Sequence, residues 1–377
     1  MKDHSGASPT VDHDQDEIDL LSSPSLARAR AVEILASPGI MAGFFRTRLS
    51  GLFPEGAWLK ECMPKVLRDR LGSRQVVLYR LILESDAGLG TTPMVVILKR
   101  YADRGDGERA FRIMKALWEN GFDDTCDLKI PKPICYLHDA GLLVEEKTRG
   151  MLLRYNLHQV GPPALARMRG VARWLAKLHH LDAGFAAIGP HPDDVASITE
   201  FVQQVGSRQP HLVPRLEEFA SVMIGRFHRM GDVRLSPVHG DFQCDNIFVE
   251  QEKVSVIDFD RFCLSDPARD TGYLIAQMRT MAFFLAATDG SVNPGLKAFW
   301  KEYVATDPAL EREAFSARTA LFAARKCLQN IFYVAYVLKM EDVETINFLL
   351  AEAARFADAE QVEEVLEFPV SAGTRRS

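Results

Sequence analysis

Apolar and polar positions divide the chain into an early part patterned for strands and a longer later part patterned for helices. Met63 to Arg68 and Gln75 to Glu84 are β-branched and apolar runs of strand length, and Thr92 to Arg100 is a third. A helix is predicted next, with Phe111, Met114, Leu117 and Trp118 recurring along one face. Ile134–His138 and Leu142–Glu146, joined by the turn Asp139-Ala140-Gly141, read as a hairpin. From Leu152 the period lengthens, and helices are predicted over Met168–Leu181, Ile198–Val205, Arg215–Met230, Gly272–Ala287, Gly295–Val304, Glu311–Leu338 and Asp342–Phe356. One hairpin interrupts them: Asn246–Glu250, the polar turn Gln251-Glu252-Lys253, then Val254–Ile257.

Length and charge narrow this picture. At 377 residues the chain is too long for most single cores, so two lobes are expected. Residues 1–24 carry Asp3, Asp12, Asp14, Asp16, Glu17 and Asp19 among Ser, Gly and Pro, the composition of a disordered acidic tail. A helical lead-in over 25–50, with Phe44, Phe45 and Leu49 as its apolar residues, opens a first lobe extending to 147. A helical second lobe runs from 148 to 370, and 371–377 form a tail. The net charge of −6 and pI near 6.0 argue against nucleic acid as a partner. The longest apolar runs fall short of a membrane span, the start lacks a signal-peptide pattern, and the six cysteines are unpaired in spacing. A cytoplasmic protein with reduced thiols and no membrane partner is expected.

The chemistry concentrates around the second hairpin. His239-Gly240-Asp241 is followed five residues later by Asn246, and the hairpin then returns the chain to Asp258 and Asp260. A hairpin brings the end of its leading loop and the end of its second strand to one edge, so Asp241, Asn246 and Asp258 converge. Oxygen donors gathered in this way suit Mg²⁺ beside phosphate, with one aspartate left to take a proton. Upstream, the strand Thr92–Arg100 ends in Lys99, placed as kinases place the lysine that grips the α- and β-phosphates. Glu108 on the following helix is its expected partner, with Glu119 the alternative.

Pro237-Val238-His239-Gly240-Asp241-Phe242, Asn246 and Asp266-Pro267-Ala268-Arg269-Asp270 together resemble the aminoglycoside phosphotransferase and choline kinase-like family. The resemblance implies a two-lobed, protein-kinase-like α+β fold with an antiparallel-sheet first lobe and a mainly helical second lobe. It implies ATP and Mg²⁺ as cofactors, Asp241 as base, Asn246 and Asp258 as metal ligands with Asp260 contributing, and Asp270 as a buttress of the catalytic loop. Asp266 and Asp270 also read locally as helix caps. The hinge implied by the family places backbone groups of Glu146 and Thr148 on adenine. The phosphate-covering loop falls on Asp69-Arg70-Leu71-Gly72-Ser73-Arg74, with a single glycine and the Ser73 hydroxyl as a phosphate contact.

The implied activity is transfer of the γ-phosphoryl of ATP to a hydroxyl of a small-molecule acceptor. A nucleotide-binding module without turnover is the competing reading, and a protein kinase a third. Against the third stands a length: Arg261-Phe262-Cys263-Leu264-Ser265 is all that separates Asp260 from Asp266-Pro267, too little for a peptide platform. Acid pairs such as Asp193-Asp194 and the aromatics Trp174, Trp300, Tyr303, Phe332 and Tyr333 are candidates for receiving a cationic acceptor. Solvated helix faces and core packing are the stronger expectations for them.

Overall fold

The computed structural model describes residues 17–23, 28–69, 74–85, 90–182, 193–231, 233–285, 292–308 and 310–370. They fall into two compact units. The first runs to Glu119 and resumes over Pro131–Thr148; the second takes Asn120–Ile130 and the chain from Arg149 onward.

The first unit is built on a five-stranded antiparallel sheet of order β1-β2-β3-β6-β5: β1 Ala57–Asp69, β2 Arg74–Ser85, β3 Thr91–Tyr101, β5 Pro133–Leu137 and β6 Leu142–Glu146. Two prolines sit inside these strands without breaking them. Pro64 lies on β1, an edge strand, and Pro93 precedes Val96, where pairing of β3 with β6 begins, so neither withholds a needed N–H. The lead-in forms helices α1 (Arg28–Ala36) and α2 (Pro38–Arg48), the latter capped by Ser37. Their Ile34, Leu35, Phe44 and Phe45 are buried in one core with Tyr79, Leu81, Val96 and Leu98 of the sheet. The Tyr79 hydroxyl, buried there, donates to Leu35 O at 2.7 Å. This core also takes Ile18 and Leu21, so the expected acidic tail is packed over residues 17–23. Polar contacts add to that docking: Arg30 pairs with Glu17, and Arg104 donates to Ser22 O.

Helix α3 (Arg104–Glu119) buries Ala110, Ile113, Met114 and Leu117. Phe111 and Trp118, expected on the buried face, are half-buried at its margin, where Phe111 stacks on Tyr136 with ring centroids 6.4 Å apart.

In the second unit, β4 (Leu128–Lys129) pairs in parallel with β10 (Lys253–Val256) and completes the sheet β4-β10-β9-β7, with β9 at Ile247–Glu250 and β7 at Met151–Leu152. That pairing, with Trp174 Nε1 donating to Lys129 O at 2.9 Å, is why residues 120–130 belong to this unit rather than to the one on either side of them in sequence. A two-stranded sheet joins β8 (Ser236–Val238) to β11 (Cys263–Ser265).

The helices are α4 (Pro162–His179), α5 (Asp194–Gly206), α6 (Val213–Arg229), α7 (Ala268–Phe284), α8 (Asn293–Ala305), α9 (Arg312–Phe332), α10 (Val343–Asp358) and α11 (Val362–Glu367). The expected helix Glu311–Leu338 changes to a π turn over Tyr333–Val337. Helix α4 starts six residues before its expected Met168, because the prolines at 162 and 163 occupy its first turn, where an amide donor is not needed. No helix among the described residues is long and apolar enough to cross a membrane.

Candidate active site

In the second unit, β8 delivers the chain to a buried loop whose shape is fixed by one carboxylate. Asp270, on the first turn of α7 and fully buried, accepts hydrogen bonds from the amides of His239 at 2.7 Å and Gly240 at 3.0 Å. His179 Nε2 approaches the same carboxylate at 3.2 Å. Of the local reading of Asp270 as a cap and the buttress implied by the resemblance, the side chain follows the second, bonding to the loop 30 residues upstream. Gly240 turns with φ +77°, and a Cβ there would meet Arg261 O at 2.1 Å, so the turn admits only glycine. Asp266 does cap: its Oδ1 accepts from Ala268 N at 2.9 Å, while Oδ2 accepts from Arg318 Nε at 2.7 Å. Burial raises the Asp266 carboxyl above its ordinary value, with Arg318 opposing.

The hydrogen bonds assign the tautomers around this loop. His239 faces Ile257 O with Nε2 at 3.0 Å and the Asp241 amide with Nδ1 at 3.3 Å. A carbonyl only accepts and an amide only donates, so Nε2 carries the proton. His179 has Tyr303 Oη at 2.7 Å from Nδ1. Burial and the nearby Asp270 push the Tyr303 phenol well above its usual range, so the phenol keeps its proton beside Nδ1.

The side chain of Asp241 is held from its own loop. Gln243 Nε2 donates to Oδ2 at 2.9 Å, and Asn246 Nδ2 donates to Asp241 O at 2.9 Å. Asn246 is in turn pinned by the amide of Ile257, which donates to its carbonyl at 2.9 Å and extends the β9–β10 register by one pair beyond Ile247–Val256. Asp258 follows at once. Backbone pairing therefore brings Asn246 and Asp258 to one end of the hairpin, and the Asn246 side chain ties Asp241 to it. Beyond Val256 the strand stops: Asp258 is left-handed at φ +77°, and Phe259–Arg261 form a single 3₁₀ turn. Asp260 lies on that turn and not on a continuing strand face.

The oxygen donors at this end suit a hard divalent ion. Asn246 turns its amide nitrogen toward Asp241, and its side-chain oxygen and the Asp258 carboxylate are donors of the kind that Mg²⁺ takes. Among the described residues no three His, Cys, Asp or Glu side chains gather as a metal cage. Mg²⁺ held by one or two protein oxygens, with phosphate and water completing its shell, does not require one.

In the first unit, Lys99 is buried and its Nζ lies 2.8 Å from Glu145 Oε1 and 3.0 Å from Oε2. This replaces the expected partners. Glu108 faces His138 at 3.2 Å on the surface, and Glu119 faces Lys115 at 3.8 Å. The sheet register explains the choice: Lys99 pairs with Leu143 and Ile97 with Glu145, so the two charges are diagonal neighbours on one face of adjacent strands. Glu145→Ala is expected to cost about 3–5 kcal/mol in urea unfolding, because a buried ammonium loses its partner, and Glu145→Ala with Lys99→Met is expected to recover much of that loss. A single mutant within 1 kcal/mol of wild type would show the pair to be incidental.

At the expected hinge, the Glu146 amide donates to Lys132 O at 3.0 Å and the Lys147 amide to Val95 O at 3.4 Å, so the Glu146 N–H is already engaged and is not a donor to a base. Thr148 is buried. Ser73 lies outside the described residues.

Three partners in the second unit escaped the sequence reading. Gln243 had a weak signal, standing two residues from Asp241 in the same loop. His179 and Lys326 had none, since only the packing of α4 and α9 brings them to Asp270 and Asp241.

Residues 84–313 match the model of the phosphotransferase enzyme family. The chain is 23% identical over 202 residues to acyl-CoA dehydrogenase family member 11 of Rattus norvegicus, a match covering 50% of this chain and 24% of that protein. The Mus musculus protein of the same name matches at 24% over 181 residues, covering 44% and 22%. The chain thus spans about a quarter of the length of these curated relatives. Similar solved structures include an ethanolamine kinase of Plasmodium vivax, with TM-score 0.56 and 12% identity over 95% of this chain and 97% of that one. A choline kinase of Cryptosporidium parvum gives TM-score 0.56 at 10% identity, covering 87% and 97%. A putative aminoglycoside phosphotransferase of Ralstonia eutropha gives 0.53 at 16%, also covering 87% and 97%. At these identities the likeness is one of fold: the α+β, protein-kinase-like architecture.

Proposed function

This chain belongs to the phosphotransferase enzyme family, and we propose that it moves the γ-phosphoryl group of ATP to a hydroxyl of a small molecule with Asp241 as general base. The observation that carries the reading is the Asp270-clamped loop that holds Asp241 beside Asn246 and, through the hairpin register, Asp258. In the reaction the acceptor oxygen bonds to the γ-phosphorus, and the bond from phosphorus to the β,γ-bridging oxygen breaks. ADP departs with that electron pair, and the hydroxyl proton passes to the Asp241 carboxylate. Gln243 and the Asn246 amide hold the base in place for this transfer, since both reach its Oδ2, at 2.9 and 3.4 Å. Asn246 and Asp258 are assigned to Mg²⁺, which when bound neutralises charge on the phosphate oxygens. Lys99, oriented by Glu145, is assigned to the α- and β-phosphates.

A small acceptor is favoured by the segment after Asp260. Its Cys263–Ser265 pairs with β8 as β11 and is used in that sheet, leaving no span for presenting a peptide. The reading is tested by Mg²⁺-dependent phosphate transfer from ATP across sugars, amino alcohols, aminoglycosides and nucleosides. Asp258→Ala is expected to abolish the dependence of ATP binding on Mg²⁺ in calorimetric titrations run with and without the ion. A magnesium effect of wild-type size in that variant would remove Asp258 from the metal site.

A further inference from the structure

Asp241 has a neighbour that neither the motif nor the assigned reaction accounts for. Lys326 of α9, with its side chain more than nine-tenths buried, holds Nζ 3.7 Å from Asp241 Oδ1 and 5.1 Å from the centre of the Tyr273 ring. At 3.7 Å the ammonium is outside hydrogen-bonding range and acts on the carboxylate as a charge. The carboxylate it faces is that of the base itself. Asp194, one of the acids considered for a cationic acceptor, is bound by Arg269 at 2.7 and 3.0 Å and by Arg325 at 2.8 Å. Both guanidiniums also donate to the Tyr273 hydroxyl, Arg269 at 2.9 Å. Three buried cations thus surround Tyr273, with Asp194 and Asp241 as the carboxylates paired to them.

Four of the five aromatic side chains considered for a cation, all but the exposed Tyr333, are stacked on other rings. Trp174 stacks on Phe242, Trp300 and Tyr303 stack on Phe315, and Phe332 stacks on Phe201 and Tyr336.

We propose that Lys326 makes this site select against positively charged acceptors, so that the substrate is an alcohol with no cationic group near its reacting hydroxyl. The proposal rests on Asp241 being the base. A hydroxyl giving its proton to Asp241 lies within about 3 Å of the carboxylate, and hence within about 7 Å of the Lys326 ammonium. For an acceptor charge at a comparable distance in a partly buried site, the Lys326 ammonium lowers binding by about 30-fold relative to a neutral residue at that position, and so offsets the attraction of the Asp241 carboxylate.

The experiment uses a metabolite extract separated by ion exchange into cationic, neutral and anionic pools, each incubated with Mg²⁺ and γ-labelled ATP. Three matched alcohols are run beside them: choline, 3,3-dimethylbutan-1-ol and 2-hydroxyethanesulfonate. Asp241-dependent label is expected in the neutral or anionic pool, with choline the poorest of the three alcohols. Lys326→Met should lower the discrimination against choline by at least tenfold in relative kcat/KM, and Lys326→Glu should reverse it, while Lys326→Arg, which keeps the charge and controls for folding, should retain it. Label confined to the cationic pool, or a discrimination unmoved in folded Lys326→Met, overturns the assignment of Lys326 and leaves the phosphotransferase reading standing. No Asp241-dependent label in any pool defeats the reading itself, and the inference with it.

Discussion

Asp241→Asn is expected to lower turnover by about 10² to 10⁴, the range for loss of a positioned general base, while Mg·ATP binds within a few-fold of wild type. The substitution is isosteric, and its side-chain oxygen can still accept from Gln243 Nε2, the bond that now reaches Oδ2 at 2.9 Å. Asn246 is anchored chiefly on the Asp241 main-chain carbonyl, which the mutation leaves in place. The loop clamp survives too, because Asp270 bonds to the amides of His239 and Gly240 and not to the side chain being changed. Geometry is thus kept and basicity removed. Calorimetry of Mg·ATP binding beside steady-state transfer to a verified acceptor separates the two effects. Transfer at the wild-type rate would show that the proton leaves by another route, and lost ATP binding would show that the loop had collapsed.

How far the sequence spoke depended on whether a residue's partner was fixed by local pairing or by distant packing. The hairpin around Gln251–Lys253 was legible because alternation and turn residues set its register, and register alone carries Asn246 and Asp258 to the same end. Lys99 was legible as a strand-end lysine but its partner was not. Identifying Glu145 required knowing that β6 pairs with β3 in the register Ile97–Glu145, which no single strand encodes. Lys326 sits on a helix buried on nearly every side, where a lysine gives no periodic signal, and its contact with Asp241 follows from how α9 packs against α7. The docked residues Ile18 and Leu21 were hidden for the opposite reason: their neighbours are acidic, so composition pointed to a solvated tail.

The clamp itself makes the largest stability prediction. Asp270→Asn is expected to destabilise the second unit by about 3–5 kcal/mol at pH 7, the cost of removing one member of a buried charged network. An amide nitrogen would replace one of the two oxygens that receive His239 N, Gly240 N and His179 Nε2. Burial by itself pushes the Asp270 carboxyl up, but the hydrogen bonds it receives from His179 and from the His239 amide outweigh burial and hold the carboxyl below its ordinary value of 3.8. A carboxyl depressed in the folded state stabilises the fold at every pH above its unfolded value, and that contribution disappears as pH falls from 3.8 through the lower folded value. The wild type should therefore lose part of its advantage over Asp270→Asn in that acid window, while the gap stays constant from about pH 5 to 7. Urea midpoints for both proteins at pH 7, 5 and 3.5 and below measure it. A gap under 1 kcal/mol at pH 7, or one that widens on acidification, would mean that Asp270 is not the ionised clamp of the catalytic loop.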